Sequence, residues 1–93
     1  MTKQYLIGEL SARLEQLQAA AAADTAPDVA ELRQEVESGP LVGLAPAAMR
    51  AIAIADTLCW DSLARGDIAA FARQAEISAD LRLFGTCARL LDT

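Results

Sequence analysis

Residues 46–65 read PAAMRAIAIADTLCWDSLAR, and how this stretch is covered decides the fold. Pro46 suits the first turn of a helix, where its missing N–H has no partner to lose, and nothing up to Arg65 breaks the helix that follows. Met49, Ile52, Asp56, Cys59 and Leu63 recur on one helical stripe, with Ala53 and Trp60 beside it. A second line, Ala48, Ala51, Ala55, Leu58 and Ser62, is small enough to admit another helix closely, and Ile54 lies towards the remaining polar side. Only Arg50, Thr57, Asp61 and Arg65 mark a solvent edge. A helix this apolar has to be covered on nearly every side, by its own chain or by a second copy of it. Asp56, inside the large apolar stripe, is therefore expected to be buried, ionised and paired with an arginine from another helix, Arg13, Arg73 or Arg82.

The rest of the chain supplies the cover. A first helix is predicted over 2–23, with Ile7, Leu10, Leu14, Leu17 and Ala21 in a 3-4 repeat widened by Leu6. Thr25 is placed to cap a second helix over 26–37, with Pro27 in its first turn, Val29, Leu32 and Val36 on its inner face, and Asp28, Glu31, Glu35 and Glu37 outside. Ser38-Gly39-Pro40 ends it, and Leu41, Val42 and Leu44 form an apolar linker expected to pack down. Gly66 is a natural residue just past a helix end and Asp67 a natural cap, so the helix over 46–65 should reverse into a last helix over 67–92. If the reversal is tight about Gly66, Cys59 faces the region of Arg73 and Cys87 lies near Ala45, too far apart along the hairpin for a disulfide.

The last helix carries two stripes, Ile68, Phe71, Ala72, Ala75, Ala79 and then Ile77, Leu81, Phe84, Ala88, Leu91. A continuous helix burying two faces is the reading adopted, in preference to a break near Glu76 with Ser78 capping a fifth helix. The fold expected is one all-α domain over 1–93, a four-helix-bundle-like arrangement with a long C-terminal helix, completed by dimerisation. Ile54, Leu58, Ile77, Leu81, Phe84, Ala88 and Leu91 are the interface residues of that dimer.

Composition agrees with helix and narrows the chemistry. The chain has 21 alanines, one Trp, one Tyr and two Phe, which favours helix and leaves little large apolar surface for a core. A net charge of −5 disfavours an electrostatic hold on nucleic acid or on an anionic membrane. The N-terminal stretch, with Glu9, Arg13 and Glu15 interrupting it, has neither the pattern of a signal peptide nor that of a membrane anchor, so a cytoplasmic location is expected. Cys59 and Cys87 without any histidine make neither a four-ligand zinc site nor a disulfide framework, and both read as small buried hydrophobes.

No cofactor motif is present. Gly39 and Gly43 suggest a phosphate loop, but no Gly-Lys-Ser/Thr follows them. Asp56 and Cys59, one helical turn apart, would share a pocket, yet a carboxylate there raises the thiol pKa and works against a nucleophile. Arg65-Gly66-Asp67 resembles the integrin-recognition tripeptide, while helix capping accounts for its glycine and aspartate. The segment from Phe71 to Ser78 resembles the first helix and turn of a helix-turn-helix, which implies DNA binding; Glu76 stands where that motif usually has glycine, and Arg82 where it needs an apolar residue. The function expected is that of a non-catalytic, homodimeric interaction, regulatory or adaptor module. The rival is a small-molecule binder or accessory subunit of an enzyme, with Asp56, Cys59 and Trp60, and Tyr5 beside them, at an interhelical pocket.

Overall fold

The structure is a computed structural model that describes residues 2–39 and 43–91. It contains four helices, α1 (Lys3–Ala20), α2 (Ala26–Ser38), α3 (Leu44–Ala64) and α4 (Ile68–Leu91), and no strand among the described residues. The four-helix-bundle-like all-α fold is as the sequence implies. The expected contact of Leu41 and Val42 and the helical state of Asp92 lie outside the described residues.

The helix ends follow local chemistry. Thr2 caps α1 by accepting the Tyr5 N–H at 3.1 Å. α1 stops at Ala20, short of the expected Ala23, because Ala21 turns extended at φ −74°, ψ 151°. The last buried leucine of α1 is Leu17, so further turns would cover nothing, and the chain spends Ala22–Thr25 on reversal. Thr25 does stand at the start of α2, but its side chain makes no cap; the hydroxyl donates to Asp24 instead, at 3.4 Å. α3 begins at Leu44, before Pro46. Proline is tolerated there because the N–H groups of a first turn have no intrahelical partner.

The α3–α4 reversal is fully specified by its three linking residues. Gly66 adopts φ +73°, which permits the Asp67 N–H to reach the Ser62 carbonyl at 2.9 Å and the Gly66 N–H to reach Leu63 at 3.0 Å. Asp67 then caps α4 through Oδ1 to the Ala70 N–H at 3.1 Å. Across the hairpin Ser62 meets Gln74, Asp56 meets Ser78 and Arg82, and Ala48 meets Gly85. Partners thus fall a few residues further along α4 than a tight reversal about Gly66 would place them, because capping uses Arg65–Asp67.

The packing is hairpin on hairpin. The principal contacts are α3 on α4 and α1 on α2, with α1 laid over α4 and α2 over α3. The molecule measures 40 × 22 × 16 Å. The shortest dimension matches two helices in depth, since axes about 8–10 Å apart and a Cα radius of about 2.3 Å on each side give roughly 14 Å. Two layers leave the α3–α4 hairpin with one inner and one outer face.

Which residues face inward corrects two expectations. In α3 the buried residues are Leu44, Ala47, Ala48, Ala51, Ala55 and Ser62, whereas Met49 is 71% and Leu63 45% exposed. The small line is the core line, and the large stripe is covered only in part, at Ile52, Asp56 and Cys59. In α4 a single face is buried along the whole helix: Ala70, Gln74, Ile77, Ser78, Leu81, Phe84, Gly85 and Ala88. Ile68, Ala72 and Ala79 of the first expected stripe are exposed. Both inward lines are free of charge from end to end, whereas the outward stripes contain Asp56 in α3 and run into Arg82 in α4. Burying an ion costs several kcal/mol, more than an alanine stripe forgoes in apolar area, so absence of charge outweighs bulk in choosing the face.

Candidate functional site

Asp56 lies at mid-height on the outer side of the α3–α4 hairpin. Its Oδ1 accepts the Ser78 hydroxyl at 2.7 Å and its Oδ2 accepts Arg82 Nη2 at 2.5 Å. The expected interhelical arginine partner exists and is Arg82. The expected burial does not: the Arg82 and Asp56 side chains are 53% and 44% exposed. Of the other candidates, Arg13 pairs with Glu9 and Asp80, both at 3.1 Å, and sits 5.5 Å above the Phe84 ring. Arg73 has no ion pair among the described residues.

Cys59 follows Asp56 by one turn and is half-buried, as is Cys87; both thiols are free. Burial pushes the Cys59 thiol up, the neighbouring Asp56 carboxylate pushes it the same way, and Arg82 opposes them. The thiol is thus held protonated, the opposite of what a nucleophile requires. Trp60 is 72% exposed and Tyr5 sits at the far end of α1, so Asp56, Trp60 and Tyr5 do not converge on a pocket.

The surroundings of Asp56 form an apolar face instead. Ile52 and Cys59 lie one turn to either side of it, Met49 and Leu63 two turns away, and Trp60 flanks them. The bonds to Ser78 and Arg82 bring the adjoining side of α4 alongside, where Ala75, Phe71 and Ile68 continue the spacing towards the turn. Met49, Trp60, Leu63 and Ile68 are all large, apolar and exposed, with one ion pair at the centre of the surface they share.

The expected dimer-interface residues are distributed differently. Ile77, Leu81, Phe84 and Ala88 belong to the core of the single chain, where α1 covers them, and Leu81 and Ala88 are 0% exposed. Ile54 and Leu58 are half-buried against the same core, and Leu91 is exposed. Ile54 and Leu58 keep part of their surface for a partner, and Leu91 keeps 42% of its own.

Two features went unread in the sequence. Ser62 and Gln74 form a buried polar pair; with the Gln74 amide nitrogen turned inward, its two hydrogens serve Ser62 Oγ at 2.6 Å and the Leu58 carbonyl at 3.0 Å, with the Ala70 carbonyl at 3.3 Å as a third oxygen in reach. A glutamine on an otherwise charge-free inward line is the signal that would have found it. The second feature is a groove of about 810 Å³ between the C-terminal half of α1 and the N-terminal half of α4, into which Arg13, Arg65 and Arg73 all face. It forms where Ala19, Ala20 and Ala70 leave the two helices without large side chains to interlock.

The residues that resemble a helix-turn-helix lie within the unbroken α4 and make no turn. Among the described residues no three His, Cys, Asp or Glu side chains gather as a metal site, and no helix is long and apolar enough to cross a membrane. Compared with known proteins, the chain matches no family model, no curated protein and no solved structure.

Proposed function

We propose that this chain is a non-catalytic protein–protein interaction module, regulatory or adaptor in kind, that works in the cytoplasm as a homodimer through the outer face of its α3–α4 hairpin. The observation that carries this reading is the placement of Met49, Trp60, Leu63 and Ile68 outside while alanines fill the inside of α3. Large apolar groups gathered on one exposed face mark a surface that another molecule covers.

A second copy suits that face. With the Asp56–Arg82 pair near its centre, a twofold axis there would set Met49 of one protomer against the Leu63–Ile68 end of its partner, and each charged pair would meet its own inverse. Two helices side by side, about 30 Å long and about 10 Å wide each, present roughly 600 Å² of flat area, comparable with the ~800 Å² per partner of a standard interface. A core to which α3 contributes mostly alanine also leaves a small domain modestly stable, which association remedies.

Light scattering coupled to size exclusion tests the proposal. At tens of micromolar the chain is expected at twice its 9.8 kDa mass, and Trp60→Glu or Met49→Glu should give a monomer with unchanged helical circular dichroism. A wild-type monomer at that concentration would refute self-association. Glu15→Gln, on α1 in the other hairpin, is the control expected to remain a dimer.

A further inference from the structure

The geometry points to a second site: the α1–α4 groove binds a small organic anion, a carboxylate or phosphate ester on an apolar body. The chain carries −5 overall, yet three of its arginines line this single groove. Elsewhere Arg33 pairs with Glu15 and Glu37, Arg50 with Glu35, and Arg82 with Asp56, while Arg89 stands alone at the end of α4 without an ion pair among the described residues. In the groove Arg13 is held by both Glu9 and Asp80, and Arg65 reaches only the Ser62 hydroxyl, at 3.4 Å. Arg73 has no carboxylate partner among the described residues, so Glu76 is left to balance both Arg65 and Arg73. The three arginines are thus balanced in formal charge by Glu9, Asp80 and Glu76, but Arg65 and Arg73 hold no carboxylate within ion-pair distance among the described residues, which leaves a guanidinium pair open to an anion.

The remainder of the lining defines the ligand's body. Ala19, Ala20, Ala70 and Ile77 give a smooth apolar wall, and Gln16 adds an amide at the side. The volume of about 810 Å³ falls within the range of ligand clefts, and the apolar wall is set among seven polar or charged side chains, of which Arg65 and Arg73 would hold the ligand's anionic end. Bare inorganic phosphate would leave that wall unused, so an anion with an attached ring or chain is preferred. Extended nucleic acid is disfavoured, because beyond the groove the net negative charge repels it.

The test is a proton–nitrogen NMR titration of the full chain with phenyl phosphate and benzoate, and with inorganic phosphate at matched ionic strength. Saturable shifts confined to amides around Ala19, Ala20, Ala70 and Arg73 are expected with the first two probes, with dissociation constants near or below about 1 mM. Arg65→Gln and Arg73→Gln should each weaken binding about tenfold, and Arg50→Gln, outside the groove, should leave it unchanged. Circular dichroism of the two groove variants establishes that they fold. No saturable shift by about 10 mM, or shifts that persist in an Arg65→Gln, Arg73→Gln double variant, would overturn the proposal. Binding of an oligoglutamate peptide in the absence of a response to either small anion would overturn it equally, by making the groove a peptide surface.

Discussion

At the scale of single residues, the informative pair is Ser62 and Gln74, 0% and 7% exposed inside the α3–α4 contact. Replacing Gln74 with leucine leaves the buried Ser62 hydroxyl only the long 3.4 Å bond from Arg65, so thermal denaturation should show a loss of about 1–3 kcal/mol. The double variant Ser62→Ala, Gln74→Leu removes both halves and should cost less than the sum of the single changes. Strict additivity would mean the two side chains do not interact. Asp56 provides the contrast. Its bond to Arg82 is half-exposed, where ion pairs contribute about 0–1 kcal/mol, and asparagine still accepts from Ser78. Asp56→Asn is therefore expected to change stability by less than about 1 kcal/mol, and a loss above about 2 kcal/mol would show that the pair is screened from water after all. Seen from the sequence alone, Asp56 was the residue to notice and Gln74 was not. Both expectations rested on surrounding hydrophobicity, which marks a stripe as apolar without saying which way it faces.

At the scale of elements, α3 and α4 are brought together by small residues. A methyl group built on Gly85 would stand 3.2 Å from the Ala48 Cβ, which has no flexible end to move aside. Gly85→Ala gains helix propensity and loses room, so the two effects offset within about 1 kcal/mol. Gly85→Leu has no such offset and should destabilise by more than about 2 kcal/mol in denaturant unfolding. A leucine variant as stable as the parent would contradict the close approach. Gly85 was visible in the sequence only as a soft point in a helix, because a close contact needs its partner helix to be known. Gly66 was different: a glycine followed by aspartate between two helical patterns already specifies a C-terminal cap and an N-terminal cap, and the structure uses both.

At the scale of the whole molecule, the link between the ends of the α1–α2 hairpin couples stability to pH. Glu37 accepts the Ser11 hydroxyl at 2.5 Å and Arg33 Nε at 3.2 Å, joining α2 to α1. The Ser11 hydrogen bond holds the Glu37 carboxyl below its ordinary value; burial opposes it, and the hydrogen bond and charge of Arg33 add to the lowering. A carboxylate with a depressed folded-state pKa stabilises the fold fully above its unfolded pKa, and that contribution is lost as pH falls through the folded value. Acid unfolding monitored by circular dichroism should accordingly be shallower for Glu37→Gln than for the parent below the ordinary carboxylate range. Identical acid limbs would remove Glu37 from the account.

The amino-acid sequence by itself determined the helices, their order, the α3–α4 reversal and the inner faces of α1 and α2, because periodicity, capping and charged flanks are local and Leu6, Leu10, Leu14, Leu17, Val29, Leu32 and Val36 leave one apolar side to each helix. Only the tertiary structure decided the faces of α3 and α4. Both helices are apolar over more than half their circumference, so two rotations bury similar area and the choice falls to what the neighbouring helices can pack against. Alanines and Gly85 meet at close range inside, Leu81 and Phe84 reach across to α1, and Met49, Trp60, Leu63 and Ile68 are left outside around an ion pair that would cost too much to bury. The arginine groove arises in the same way, since Arg13 lies far along the chain from Arg65 and Arg73 and meets them only where α1 crosses the start of α4.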